Sequence, residues 1–278
     1  MKMMNKKDFI NILEEHNKLG FQDQIDYNKF YLYSIVTHST AIEGSTMTEI
    51  DNQLLFDEGL STKGKSIIEQ NMNLDLKAAY ERSMELAKAH TPISVGVLKH
   101  LAALVMRRTG GEVNGFGGSF DSSRGDLRLV NVTAGAGGKT YMNYQKVPQK
   151  LEDFCKDINE RRKELLESPD IYEQYELSFY AHLKLVTIHP WVDGNGRMSR
   201  LIMNHLQYEF GLVPSKVVKD DKAEYIKALK TSQEDESEAP FLDFMIEEHA
   251  KNLQEEIENY KLSMGDDDEV QPRRGFRR

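Results

Sequence analysis

The chain has little with which to staple its fold from outside the core. One cysteine, Cys155, stands among 278 residues, so no internal disulfide exists and nothing points to an oxidising compartment. Cys155 falls in a helical apolar stripe with Leu151, Phe154 and Ile158, which reads as core rather than nucleophile. Absent too is any apolar run near the roughly 20 residues that a bilayer span needs. The first 15 residues carry lysines but no continuous apolar region, so no signal peptide is expected there. A basic excess is also missing. Thirty-six Lys and Arg face 45 Asp and Glu, a formal net charge of −9, which argues against nucleic acid as a direct partner. The histidines other than His189 show no His-x-x-x-His spacing, against a metal-dependent hydrolase. What remains, 39% hydrophobic and 29% charged, is the composition of a cytoplasmic globular protein.

Helical periodicity fills most of the chain. Phe9, Ile10 and Leu13 form one stripe, ending near Gly20. A second run passes Phe30, Tyr31 and Ile35 to Glu43, with Gly44 suited to the residue just past a helix end. Thr48 can cap a short helix through Leu55, and a longer one carries Ile68, Met72, Ala79 and Leu86. Ser94 can cap another, with Leu98, Leu101 and Val105. Glycines cluster from Gly110 to Gly118. The chain then alternates through Leu127, Leu129, Asn131 and Thr133, turns at Gly135–Gly138, and continues over Lys139 to Met142, which predicts a β-hairpin. Helices resume after Pro148, and Leu177 to Ile188 is apolar nearly all round, as a buried central helix would be. Three more follow: Met198 to Phe210, Asp221 to Thr231, and Pro240 to Leu262. The reading is an all-α, mainly helical fold with one short hairpin. An N-terminal helical segment, 1–92, includes the helix at about 28–44 and packs on a core at 93–263. Residues 264–278, with their blocked charges, are expected to be a disordered tail.

The richest stretch is His189-Pro190-Trp191-Val192-Asp193-Gly194-Asn195-Gly196-Arg197-Met198-Ser199-Arg200. Glycines on both sides of Asn195 let consecutive backbone N–H groups turn inward as an anion nest. The helix that follows points its positive end at the same spot. Arg197 and Arg200, spaced i, i+3, share one face of the first turn, where cations oppose the macrodipole. A polyphosphate between nest and arginines would resolve that conflict. Asp193 supplies a hard oxygen ligand suited to Mg²⁺ beside phosphate. His189 ends the buried helix and can act as a base near neutral pH.

This stretch resembles the signature of the Fic family, His-Pro-Phe-x-(Asp/Glu)-Gly-Asn-Gly-Arg-x-x-Arg, departing only at Trp191. The resemblance implies the Fic fold and transfer of AMP from ATP to a Tyr, Thr or Ser hydroxyl of a target protein. It implies that His189 is the base, that Asp193 holds Mg²⁺, and that Gly194, Asn195, Gly196, Arg197 and Arg200 bind the phosphates. Tyr225 and Gln233 fall where similar proteins line the adenosine pocket. Asn131, Val132 and Thr133 fall in the family's flap, along which a target would dock as an added strand. Self-modification and a homodimer are both compatible with it.

Ser39-Thr40-Ala41-Ile42-Glu43-Gly44 matches the family's inhibitory pattern, (Ser/Thr)-x-x-x-Glu-(Gly/Asn). Glu43 would sit at the negative end of its helix, where a carboxylate needs a cation. The resemblance supplies Arg200, with Glu43 in the place of the γ-phosphate. Ser39, Glu43 and Gly44 are therefore the expected inhibitory residues. Two alternatives stay open: a Fic-fold enzyme that moves another phosphate-containing group or removes AMP, and a non-catalytic nucleotide- or protein-binding helical module.

Overall fold

The computed structural model describes residues 4–21, 27–115, 117–134, 138 and 140–267. The helices begin where the sequence offers caps. Asn5 caps α1 (Lys6–Lys18), its side chain accepting from the Asp8 N–H. Helix α2 spans Tyr27–Ile42. Reciprocal capping boxes, Thr48 with Asp51 and Ser66 with Glu69, start α3 (Glu49–Glu58) and α4 (Ile67–Lys88). Each such cap contributes about 1 kcal/mol. Ser94 caps α5 (Val95–Val105), and a proline in its first turn opens α6 (Val147–Glu167). Asp170 caps α7 (Ile171–Ile188). Helices α8 (Asn195–Glu209), α9 (Lys222–Glu234) and α10 (Ala239–Asp267) complete the set. No helix among the described residues is long and apolar enough to cross a membrane.

The core centres on α7 and α8. They pack on each other, α8 packs on α4, and α4 on α5, while α1 lies along α10. Leu177, Phe179, Ala181 and Leu185 of α7 and Leu201, Ile202 and Leu206 of α8 are buried. Burial of each large side chain among them is worth about 1.5–3 kcal/mol. Helix α8 also buries polar groups, each of which needs a partner. Asn204 donates to the Ser215 carbonyl and accepts from Tyr80, and Glu209 pairs with the buried Arg162.

A second buried polar cluster fixes α2. Thr40 donates to Asn73 of α4 at 2.8 Å, while Asn52 of α3 donates to both Asn73 and Thr37. These side chains are nearly or fully out of solvent. Breaking one bond would leave its partners unsatisfied at about 1–3 kcal/mol each. The C-terminal end of α2, which carries Glu43 beyond it, is therefore held by side-chain hydrogen bonds as well as by packing.

The regular hairpin is not the one the alternation predicts. Strands β1 (Glu112–Gly115) and β2 (Gly118–Asp121) pair antiparallel within the glycine cluster, with Val113 opposite Phe120. Those glycines are needed because Leu129 and Val130 press on the turn. A Cβ on Gly115 would lie 2.4 Å from Val130, and one on Gly117 would lie 2.3 Å from the Leu129 carbonyl. The segment expected as the hairpin shows one isolated bridge, Thr133 to Thr140, and one bond from the Tyr141 N–H to the Val132 carbonyl. Its expected turn at 135–137 and residue 139 lie outside the described residues, as does the tail from 268 onward. The carbonyls of Val130 and Met142, on the two arms of this segment, accept from the Arg128 side chain.

Candidate active site

Helix α7 ends at His189, whose backbone is left-handed at φ 53° and ψ 61°. For a residue with a Cβ this costs about 1–2 kcal/mol, and Pro190 prevents the helix from continuing. The loop then folds around Trp191, which is 1% exposed. Its indole donates to the Gly125 carbonyl, and the Asn195 amide binds the Trp191 backbone at both ends, at 3.0 and 2.8 Å. Asn195 thus spends its side chain shaping the loop, and only its backbone N–H is left to contribute to an anion nest. Gly194 is left-handed at φ 79° and starts α8 without a side-chain cap. The helix N-terminus therefore presents its orphan N–H groups to whatever sits above Gly196.

What sits there is Glu43. A Cβ on Gly196 would meet the Glu43 carboxylate at 2.6 Å. The same oxygen lies 2.6 Å from Arg200 Nη2. The other nitrogens of Arg200 are engaged as well: Nε donates to the Ser39 hydroxyl at 2.8 Å and Nη1 to the Tyr225 hydroxyl, while Nη2 also donates to the Ser39 carbonyl. Burial works against the Arg200 charge, but Tyr225 and Glu43 more than offset it and its pKa rises. Burial likewise pushes the Glu43 carboxyl upward, yet Arg200, Arg197 and Lys222 hold it below its ordinary range. Gly44 follows in a left-handed turn at φ 103° with open space around its Cα.

Arg197 presents the opposite case. It is 3% exposed, yet its Nε and Nη1 have no partner among the described residues. Its Nη2 meets the Met106 sulfur at 3.3 Å and Asp193 at 3.5 Å. A buried guanidinium with unused donors is costly unless something anionic is to fill them. Asp193 accepts from the Gly194 N–H, and its side chain is largely exposed.

His189 lies beside this cradle. Its Nδ1 sits 3.3 Å from the Val186 carbonyl. A carbonyl can only accept, so the proton belongs on Nδ1 and the Nε2 lone pair is left available. Burial, with a smaller contribution from Arg128, pushes the imidazole down to about 4, so it is neutral near pH 7. The Tyr141 ring stacks on it with centroids 3.6 Å apart.

A cavity of about 710 Å³ is lined by Glu43, Tyr141, His189, Gly196 and Arg200, while Arg197 and Asp193 lie outside its lining. Val186, Ile226 and Leu229 give it an apolar wall, with Gln233 bonded to Thr187 at the rim. Tyr225 also lines it, but its hydroxyl is taken by Arg200 and His182. Burial and the Arg200 charge keep His182 neutral, so Tyr225 accepts from the arginine and donates to the histidine. Of the flap residues, Asn131 accepts from the Tyr144 N–H, the Val132 carbonyl is used by Tyr141, and Thr133 forms the bridge. Sequence reasoning did not pick out Arg128, His182 or Tyr141. Among the described residues no group of three or more His, Cys, Asp or Glu could hold a metal alone.

A helix N-terminus with two buried arginines thus stands beside a neutral histidine and a cavity of about 710 Å³, an arrangement chemically suited to an anion. Residues 92–207 match the model of the Fic/DOC family. The chain is 27% identical over 238 residues to "Protein adenylyltransferase fic-1" of Caenorhabditis briggsae, covering 85% of this chain and 43% of that protein. It is 30% identical over 222 residues to "Protein adenylyltransferase Fic" of Drosophila persimilis, covering 78% and 39%. A solved Fic domain containing signaling protein from Bacteroides thetaiotaomicron shares the fold, with a TM-score of 0.71 at 18% identity over 91% of this chain and 96% of that one. The match to the Fic/DOC family over residues 92–207 contains the whole His189–Arg200 stretch. The chain spans less than half the length of these curated relatives.

Proposed function

We propose that this protein transfers AMP from ATP to a hydroxyl of a target protein and that Glu43 holds it off at rest. The observation that carries the reading is Arg197, a buried cation with unused donors at an anion-binding helix end. The relatives named protein adenylyltransferase support AMP as the group moved. The hydroxyl oxygen attacks the α-phosphorus, its proton passing to His189 Nε2, and the bond to the β-phosphate's bridging oxygen breaks to release pyrophosphate. The backbone of Gly194–Gly196 and the guanidinium of Arg197 neutralise charge on the phosphates, so catalysis is chiefly positioning and electrostatics. Gln233, Tyr225 and the apolar wall would take the adenosine. Asn131, Val132 and Thr133 would present the target's backbone.

Mg²⁺ keeps several waters and takes one or two carboxylates plus phosphate oxygens, which fits the single exposed carboxylate of Asp193. When bound, it would offset phosphate charge. Glu43, by occupying Arg200 and the space above Gly196, excludes a terminal phosphate from both. Residues 1–92 then act as an inhibitory segment on the core at 93–263, in a cytoplasmic enzyme.

The test is incubation of the Glu43→Gly protein with Mg²⁺ and ATP labelled at the α- or the γ-phosphate, with mass spectrometry of modified peptides. AMP transfer predicts α-label only, the mass of one AMP per site, and loss of both signals on adding His189→Ala. Label from the γ-phosphate would indicate a phosphate-transferring enzyme. Tight ATP binding with no label from either would leave a nucleotide-binding module.

A further inference from the structure

Arg128 is one of the largest fully buried side chains, at 1% exposure. No carboxylate pairs with it among the described residues. Its guanidinium instead reaches three backbone carbonyls from three places in the chain. Nε donates to His189 at 2.7 Å, Nη1 to Val130 at 2.8 Å, and Nη2 to Met142. Its own N–H donates to the Pro190 carbonyl at 3.0 Å.

A buried cation without a counter-charge is a poor choice for packing alone, since an apolar residue of similar volume would avoid the desolvation cost. What an arginine adds is a planar fork with several fixed donors, which a lysine or methionine lacks. Here the fork spans both arms of the flap, at Val130 and Met142, and the left-handed residue that carries the base. Tyr141, next to Met142, lies flat on the His189 ring. The strand expected to present the hydroxyl and the group expected to take its proton are thus tied to one side chain.

We infer that Arg128 is a positioning residue that sets the flap and His189 at a fixed separation, so that a docked hydroxyl meets the base in register. This rests on the AMP-transfer reading. Arg128 makes no bond to Gly194–Gly196, Arg197 or Arg200, so the nucleotide cradle stays intact without it.

The test places Arg128→Lys and Arg128→Met in the Glu43→Gly background. Transfer kcat at saturating ATP, the Kd for ATP by calorimetry, and amide hydrogen exchange are then measured. Misplacement of reacting groups by about 1 Å costs about 100-fold, so kcat should fall about that far in Arg128→Met. Arg128→Lys should recover less than about a tenth of the loss, because the fork and not the charge is needed. The Kd for ATP should stay within about twofold, the pattern of an interaction made only on the way to the transition state. Exchange should quicken in 130–134 and 140–144 but not in α8. Unchanged kcat, a parallel loss of ATP binding, or faster exchange throughout α8 would overturn the inference, as would failure of both variants to fold. If the Glu43→Gly parent transfers no AMP, the functional reading fails on that result alone, and the exchange pattern still decides whether Arg128 couples flap to base.

Discussion

Arg197 and Arg200 stand one helical turn apart, both buried to 3% exposure, and their surroundings could hardly differ more. Every side-chain nitrogen of Arg200 has a partner among Ser39, Glu43 and Tyr225, while two nitrogens of Arg197 have none among the described residues. On the proposed reading, the difference divides one phosphate site into two halves. The Arg200 half is filled by the protein's own carboxylate and is structurally complete without ligand. The Arg197 half has no internal substitute. On the proposed reading, a resting state that satisfies one arginine from within and leaves the other without an anion would admit part of a nucleotide but not all of it.

The largest expected effect breaks the waiting half. Arg197→Ala in the Glu43→Gly background should lower AMP transfer about 1,000-fold, since charge-neutralising groups at phosphoryl centres carry effects of that order. A loss under tenfold in a labelled-ATP assay would show that its unused donors do not serve phosphate. The next effect separates the halves by stability. Arg200→Ala leaves Ser39, Glu43 and Tyr225 without their partner and should cost about 2–4 kcal/mol in chemical denaturation. Arg197→Met removes a buried cation that little else relies on and should change stability by less than about 1 kcal/mol, or raise it. Equal losses in the two variants would erase the distinction. The smallest effect concerns the base beside both halves. With His189 held down to about 4 by burial, transfer by Glu43→Gly should be flat from neutral pH downward. It should fall only as the imidazole protonates toward that value. A pH–rate profile with its acid limb near 6.5 would show a solvated histidine instead.

The halves were not equally legible in the sequence. His189 to Arg200 is contiguous, and each residue type declares its chemistry, so the anion nest and the arginine face could be read without coordinates. Glu43 could be read because Ser39 to Gly44 matches the inhibitory pattern of the family the chain resembles, and because a carboxylate past a helix C-terminus needs a cation. The support behind them could not. Thr37, Thr40, Asn52 and Asn73 look like solvent-facing positions in a periodic pattern, and only tertiary packing turns them toward one another. Arg128 gave no signal because its partners are backbone carbonyls up to 61 residues away. Period-two alternation at Leu127 and Leu129 suggested a ladder where the structure shows one isolated bridge and two carbonyls bound by Arg128, while the glycines at Gly115 and Gly117 marked a close approach and not an open loop.

The account turns on whether the Glu43 carboxylate keeps the site off by standing at the helix end and on Arg200. The direct measurement is the initial rate of AMP transfer from α-labelled ATP by wild type, Glu43→Gln and Glu43→Gly at equal concentration. The account predicts a rate that rises strongly from wild type to Glu43→Gly, with Glu43→Gln between them because it keeps the bulk but loses the charge. Equal rates in all three would contradict it.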